Sequence, residues 1–81
     1  MPHLEAVKHI LDRTLGLNGR ALEEHTPLLG SVPELDSMAV IGVIAALEDH
    51  FGIVVADDDI HARHFATVGT LHDFVSAKLQ P

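Results

Sequence analysis

The stretch from Asp36 to Phe51 constrains the fold of this chain more than any other. Val40, Val43, Ile44, Leu47 and Phe51 recur there at helical spacing, and Gly52 follows as a stop. That stripe is the buried side of a helix. A second apolar set, Met38, Ile41, Gly42 and Ala45, lies on an adjacent face, so the early turns are apolar over more of their circumference than one core contact uses. Part of this surface is therefore expected to meet a partner or ligand. The competing reading packs Ile41 and its neighbours beneath the preceding loop.

The rest of the chain supplies what this helix packs against. From Leu4 to Leu17, Leu4, Val7, Ile10 or Leu11, and Leu15 alternate with Glu5, Lys8, Asp12 and Arg13, which predicts an amphipathic helix closed by Gly16-Leu17-Asn18-Gly19. Arg20 to Leu35 contains Pro27, Gly30 and Pro33 without a sustained period. Leu28, Leu29, Val32 and Leu35 are expected to anchor it as an ordered loop over the bundle, and a loop this long in so small a domain is more often functional or tightly packed than idle. Ile53-Val54-Val55 has no strand partner in view and reads as a buried loop entry. Asp57, Asp58 and Asp59 are expected to open a short helix running to about Arg63, where the helix dipole favours their charge, with Ile60 and Phe65 as anchors. Thr67 caps a last helix carrying Val68, Leu71, Phe74, Val75 and Leu79. The predicted fold is an all-α four-helix bundle, three main helices plus a short third one, with a long loop between the first two. Residues 1–81 form one domain without repeat or linker, because a chain of 81 residues buries only about 60–65% of its unfolded surface.

Composition removes several kinds of chemistry. The chain has no cysteine, so disulfides, thiolate metal sites and a protein thiol nucleophile are absent together. Twelve acids against five bases give a formal charge of −7, which repels polyphosphate and favours partners with basic patches over nucleic acid. Seven histidines change that balance mainly below neutrality. No leader-like start and no apolar run of membrane-spanning length are present, so a cytoplasmic, soluble and monomeric protein is expected.

Within Gly30-Ser31-Val32-Pro33-Glu34-Leu35-Asp36-Ser37-Met38, the loop delivers Asp36-Ser37 to the first turn of the longest helix. Taken alone, this is an ordinary helix cap. Together with the first helix, the long loop, Ala46-Leu47-Glu48-Asp49-His50-Phe51 and Thr67-Val68, it resembles the acyl carrier protein family, whose signature is an Asp-Ser-Leu triplet opening the second helix. The resemblance covers nearly the whole chain. It implies that Ser37 receives 4′-phosphopantetheine from coenzyme A and that the arm's thiol carries an acyl thioester, with Asp36 and Met38 flanking the attachment point. It also implies a non-catalytic carrier whose partners are a phosphopantetheinyl transferase and an acyl-activating ligase, acyltransferase or synthase. Physically, an anion at Ser37 would meet free N–H groups and the positive end of a helix.

Two features depart from the family pattern. Met38 stands in place of leucine, and Ala39, Ile41, Gly42 and Ala45 replace the acidic residues that commonly face partners. Docking is therefore expected through apolar contact at Ala39, Ile41, Gly42 and Ala45, steered by Glu34, Asp36, Glu48, Asp49 and Asp57 to Asp59. The run from Pro33 to Val40 looks like carriers of exosortase and exopolysaccharide gene clusters. His61 and His64, three residues apart, are expected to be surface histidines rather than metal ligands. His50 lies about 20 Å along the helix from Ser37, which leaves no hydrolase triad. Other readings are a non-carrier helical interaction module, a peptidyl or D-alanyl carrier, and a domain excised from a synthase. Any ligand space is expected between the helices, along some of Val43, Ile44, Leu47, Ile60, Phe65, Leu71 and Val75.

Overall fold

The computed structural model describes residues Pro2–Gln80. It contains helices α1 (Leu4–Leu15), α2 (Ser37–Phe51) and α3 (Val68–Leu79), with a 3-10 turn at Ala62–Phe65 before α3. The first helix is shorter than expected because Gly16 turns left-handed at φ 66° and its N–H bonds the Asp12 carbonyl. The Leu17 N–H then reaches that same carbonyl at 3.1 Å and tucks the Leu17 side chain into the core. The second helix ends in the same way. Gly52 has φ 66°, both Gly52 and Ile53 donate to the Glu48 carbonyl, and Ile53 is buried. At the start of α3 the predicted cap is present and reciprocal. Thr67 Oγ1 accepts from the Thr70 N–H at 3.1 Å, and Thr70 Oγ1 accepts from the Thr67 N–H at 3.0 Å.

One contiguous core joins these elements. Val7, Ile10, Leu11 and Leu15 of α1 meet Val43 and Leu47 of α2 and Val68, Leu71, Phe74 and Val75 of α3. Each side chain of this size is stabilised by about 1.5–3 kcal/mol when fully buried. In α2 only Val43 and Leu47 close over completely, while Val40, Ile44 and Phe51 pack at the margin half-buried. The Leu79 end of α3 reaches solvent.

The loop from Arg20 to Leu35 is ordered because it is stitched to the start of α3. Leu28 N–H donates to Ala66 O at 3.0 Å, Leu29 N–H to Phe65 O at 2.9 Å, Val68 N–H to Thr26 O at 3.1 Å and Gly69 N–H to Glu24 O at 2.8 Å. The crossing is close at Gly69, where a Cβ would stand 3.0 Å from the Glu24 carbonyl oxygen and the loop would have to give by a few tenths of an ångström. Leu22, Leu28, Val32 and Leu35 are the buried anchors. Leu29, expected among them, is 47% exposed, while its neighbour Leu28 takes the buried place.

Two expectations for the segment after α2 need correction. Asp57, Asp58 and Asp59 open no helix; they form a turn in which Asp59 N–H donates to Ala56 O and Asp59 Oδ2 accepts from Ala56 N–H at 2.9 Å. The same carboxylate takes Lys78 Nζ at 2.6 Å, so its charge is committed to α3. The short helix shrinks to the 3-10 turn, and the described residues hold three α-helices rather than four. Ile53-Val54-Val55 is indeed a loop and not a strand, but Val54 is 79% exposed rather than buried. Among the described residues, no helix is long and apolar enough to cross a membrane.

Candidate functional site

Ser37 is the first residue of α2, and its side chain is exposed. Three features of the preceding loop set its position. Leu35 is buried, with its N–H bonded to Val32 O. Glu34 is gripped by Arg20 through two hydrogen bonds of 3.3 and 2.8 Å, which hold its carboxyl below the ordinary value of 4.5. Asp36 is extended and caps the helix: Oδ1 accepts from Ala39 N–H at 2.8 Å, and its carbonyl accepts from Val40 N–H. That leaves the Ser37 and Met38 N–H groups without an acceptor among the described residues. They point out of the positive end of a fifteen-residue helix, where a negative group gains about 0.3–1 kcal/mol.

Beside Ser37 lies an open, mainly apolar groove of about 290 Å³, formed by Leu29, Val40, Ile60, His61, Ala62, Phe65 and Ser37 itself. It differs from the ligand space expected between the helices. Val43, Leu47, Leu71 and Val75 are 0–1% exposed and packed shut, so only Ile60 and Phe65 of the expected lining take part. Leu29, Val40, His61 and Ala62 were not foreseen as lining. The groove forms where the long loop meets the 3-10 turn, two segments with no periodicity to relate them. Larger surface clefts of about 390–440 Å³ lie elsewhere, among them one between Glu5, Lys8, Asp12 and Arg20, but none includes Ser37.

The outer face of α2 is divided. Met38 is 75% exposed, Ile41 63%, and Ala45 is also exposed, so Ile41 does not pack beneath the loop. Ala39 and Gly42 turn partly inward: Ala39 packs on the core, and a Cβ on Gly42 would meet Thr14 Cγ2 at 3.5 Å. Glu48 is half-buried, and its Oε2 accepts from Val55 N–H at 2.9 Å, which ties it to the loop after α2. His64 Nδ1 accepts from His61 N–H at 2.9 Å, and no cluster of three metal-ligating side chains is present among the described residues. His50 packs on Phe51 at the opposite end of α2 from Ser37. The buried His72, which sequence reasoning did not single out, is structural. Its Nε2 accepts from His3 N–H and lies 3.3 Å from Ser76 Oγ, tying the entry of α1 to α3.

Comparison with known proteins agrees with this geometry. Residues 5–75 match the family model described as the phosphopantetheine attachment site. The structure is similar to that of a holo acyl carrier protein from Nitrosomonas europaea solved in solution by NMR. The two are 52% identical over 98% of both chains, with a TM-score of 0.91. A holo acyl carrier protein from Geobacter metallireducens is 28% identical over 98% of this chain and 87% of that one, with a TM-score of 0.78. The family model spans most of the chain, the helices superpose along nearly its whole length, and the chain therefore belongs to the acyl carrier protein family, whose members hold their cargo on covalently attached 4′-phosphopantetheine.

Proposed function

We propose that Ser37 is the attachment residue of this carrier and that the chain presents an acyl group to separate enzymes without catalysing a step itself. The observation that carries this reading is an exposed hydroxyl on the first residue of α2, beside two unbonded N–H groups and at the edge of an apolar groove. The residues fit the group: the N–H pair and helix dipole suit its phosphodiester, and the groove suits its carbon skeleton. When bound, the arm supplies a thiol, which this cysteine-free chain lacks, to hold the acyl group as a thioester.

Ser37 Oγ acts as an acceptor rather than an activated nucleophile. Its hydroxyl makes no hydrogen bond to any side chain among the described residues, so no base is held on it, and Asp36 Oδ1 is directed to Ala39 N–H. A phosphopantetheinyl transferase must therefore bring the base and metal. Met38, Ile41 and Ala45 present an apolar docking face to it and to an acyl-activating ligase or acyltransferase. Asp36, Asp49, Asp57 and Asp58, all exposed, supply charge that steers partners with basic rims. Glu34, Ala39 and Gly42 contribute by holding the Ser37 end of α2 in shape, and Glu48 by fixing the loop after the other end of α2. We place the protein in the cytoplasm as a monomer, one carrier domain working with freely diffusing enzymes.

Intact-protein mass spectrometry tests the reading. The apo-protein is incubated with coenzyme A, magnesium and a broad-specificity phosphopantetheinyl transferase, alongside Ser37→Ala. A single phosphopantetheine-sized gain in the parent and none in the variant is expected. Absence of any gain in a folded parent, or a gain in Ser37→Ala, overturns the assignment.

A further inference from the structure

The groove beside Ser37 holds one ionisable side chain, His61. Its backbone is pinned from both sides: its N–H donates to His64 Nδ1 at 2.9 Å, and its carbonyl accepts from His64 N–H at 2.9 Å. The ring lies beside that of His64, with centroids 5.8 Å apart, and remains exposed. The other groove residues are Leu29, Val40, Ile60, Ala62, Phe65 and Ser37. An exposed imidazole on the rim of an apolar slot shared with Ser37, carried by a backbone that His64 holds, is placed to meet a charge attached at Ser37. The charged and titratable groups next to it along the chain are Asp57 and Asp58 on the preceding turn and Arg63 and His64 on its own turn, and Asp36 precedes Ser37 at the start of α2. Asp59 is committed to Lys78.

We propose that His61 is a positioning residue for the arm, its imidazolium pairing with the phosphodiester on Ser37 and laying the first part of the arm along Leu29, Val40, Ile60 and Phe65. This rests on attachment at Ser37. The volume limits what is held. At about 290 Å³ the groove lies at the lower edge of the roughly 300–1,000 Å³ range of small-molecule sites, so it beds a fragment of the arm and leaves the acyl end outside. Pairing with the phosphodiester needs the protonated ring, so arm docking strengthens with acid and loosens as pH rises.

The test uses holo-protein whose mass gain has already been verified, so that failure of attachment shows at that step and failure of positioning shows at the next. A phosphodiester does not itself titrate near neutrality, so movement of its ³¹P resonance between about pH 5.5 and 8 reports a neighbouring group. The expected result is a sigmoidal ³¹P shift that persists in His50→Gln, at the far end of α2, and is lost in His61→Gln. Contacts from the His61 ring protons to the methyl groups next to the phosphate should be strongest at low pH in the unmutated holo-protein. A ³¹P profile unchanged in His61→Gln, or no such contacts at low pH, overturns the proposal.

Discussion

Ile41 gives the sharpest test of how this carrier meets its partners. It lies on the outer face of α2, is 63% exposed, and belongs to no part of the core. Full burial of an isoleucine is worth about 1.5–3 kcal/mol, so a partner that covers what remains exposed gains about 1–2 kcal/mol, or roughly 5- to 30-fold in affinity. The same exposure makes the residue nearly irrelevant to folding. Ile41→Ala should change stability by no more than about 0.5 kcal/mol, a melting shift of roughly 2–4 °C in a domain of this size. The assay is transferase-catalysed loading followed by mass spectrometry across protein concentration, with thermal melting of the same samples. The expected outcome is a 5- to 30-fold rise in KM, a larger rise for Ile41→Glu, and an almost unchanged melting temperature. Salt dependence should stay as in the parent, because the lost contact carries no charge, whereas Asp57→Asn with Asp58→Asn should flatten it. Unchanged KM in Ile41→Glu with the fold intact would refute the reasoning.

Three further predictions concern the scaffold. Asp36→Ala removes the bond to Ala39 N–H and should cost about 0.5–2 kcal/mol by thermal or urea unfolding, most of it restored in Asp36→Asn. Leu28→Ala truncates a side chain with no exposure at the point where the long loop crosses onto α3, and should cost about 2–5 kcal/mol in the same measurement. Stability should also fall as pH drops. Burial holds the His64 imidazole below its ordinary 6.5, assisted by Arg63 and His61, so the unfolded chain binds the extra proton first and stability declines from about pH 6.5 downward. Glu34 and Asp59, held low chiefly by hydrogen bonds from Arg20 and Lys78, add stability that persists above their ordinary values of 4.5 and 3.8 and is lost below them. Melting against pH should therefore show two descents, and His64→Gln should remove only the upper one.

The parts of this structure legible in the sequence are those that local physics decides. Val43 and Leu47 at helical spacing, Asp36 and Thr67 as caps and Gly52 as a stop are each set by residues within one or two turns, and each is where the spacing predicts it. The misplaced parts depend on distant partners. A run of three aspartates favours a helix start, but Asp59 instead reaches Lys78, nineteen residues on, and folds back on Ala56. Leu28 and Leu29, like Ile53 and Val54, are apolar neighbours of which only one is buried, and an irregular segment offers no period to say which. Ser37 could be singled out from sequence as the candidate because a cap, a loop and a helix converge on it. His61 could not be placed beside it, since the groove exists only after the loop has folded against the 3-10 turn.

That dependence links stability to function in a specific way. One wall of the groove is Leu29, carried by the long loop, the opposite one is Ile60, His61, Ala62 and Phe65, at and just before the 3-10 turn, and Val40 and Ser37 of α2 complete the lining. The hydrogen bonds joining the walls, Leu28 N–H to Ala66 O and Leu29 N–H to Phe65 O, are backbone bonds outside any helix. Their geometry is maintained by Leu28 and Phe65 being buried on either side. Ser37 hangs from the same loop through Leu35, while α2 is fixed independently by Val43 and Leu47. Loosening the loop should therefore separate two properties that depend on one helix. The proposed docking face at Met38 and Ile41 stays where the core holds α2, whereas the groove widens and its grip on anything attached to Ser37 weakens. Loading by a transferase that reads the helix would survive a loop mutation that abolishes ordering of the arm, and only a carrier whose groove is built across two loops can be divided in that way.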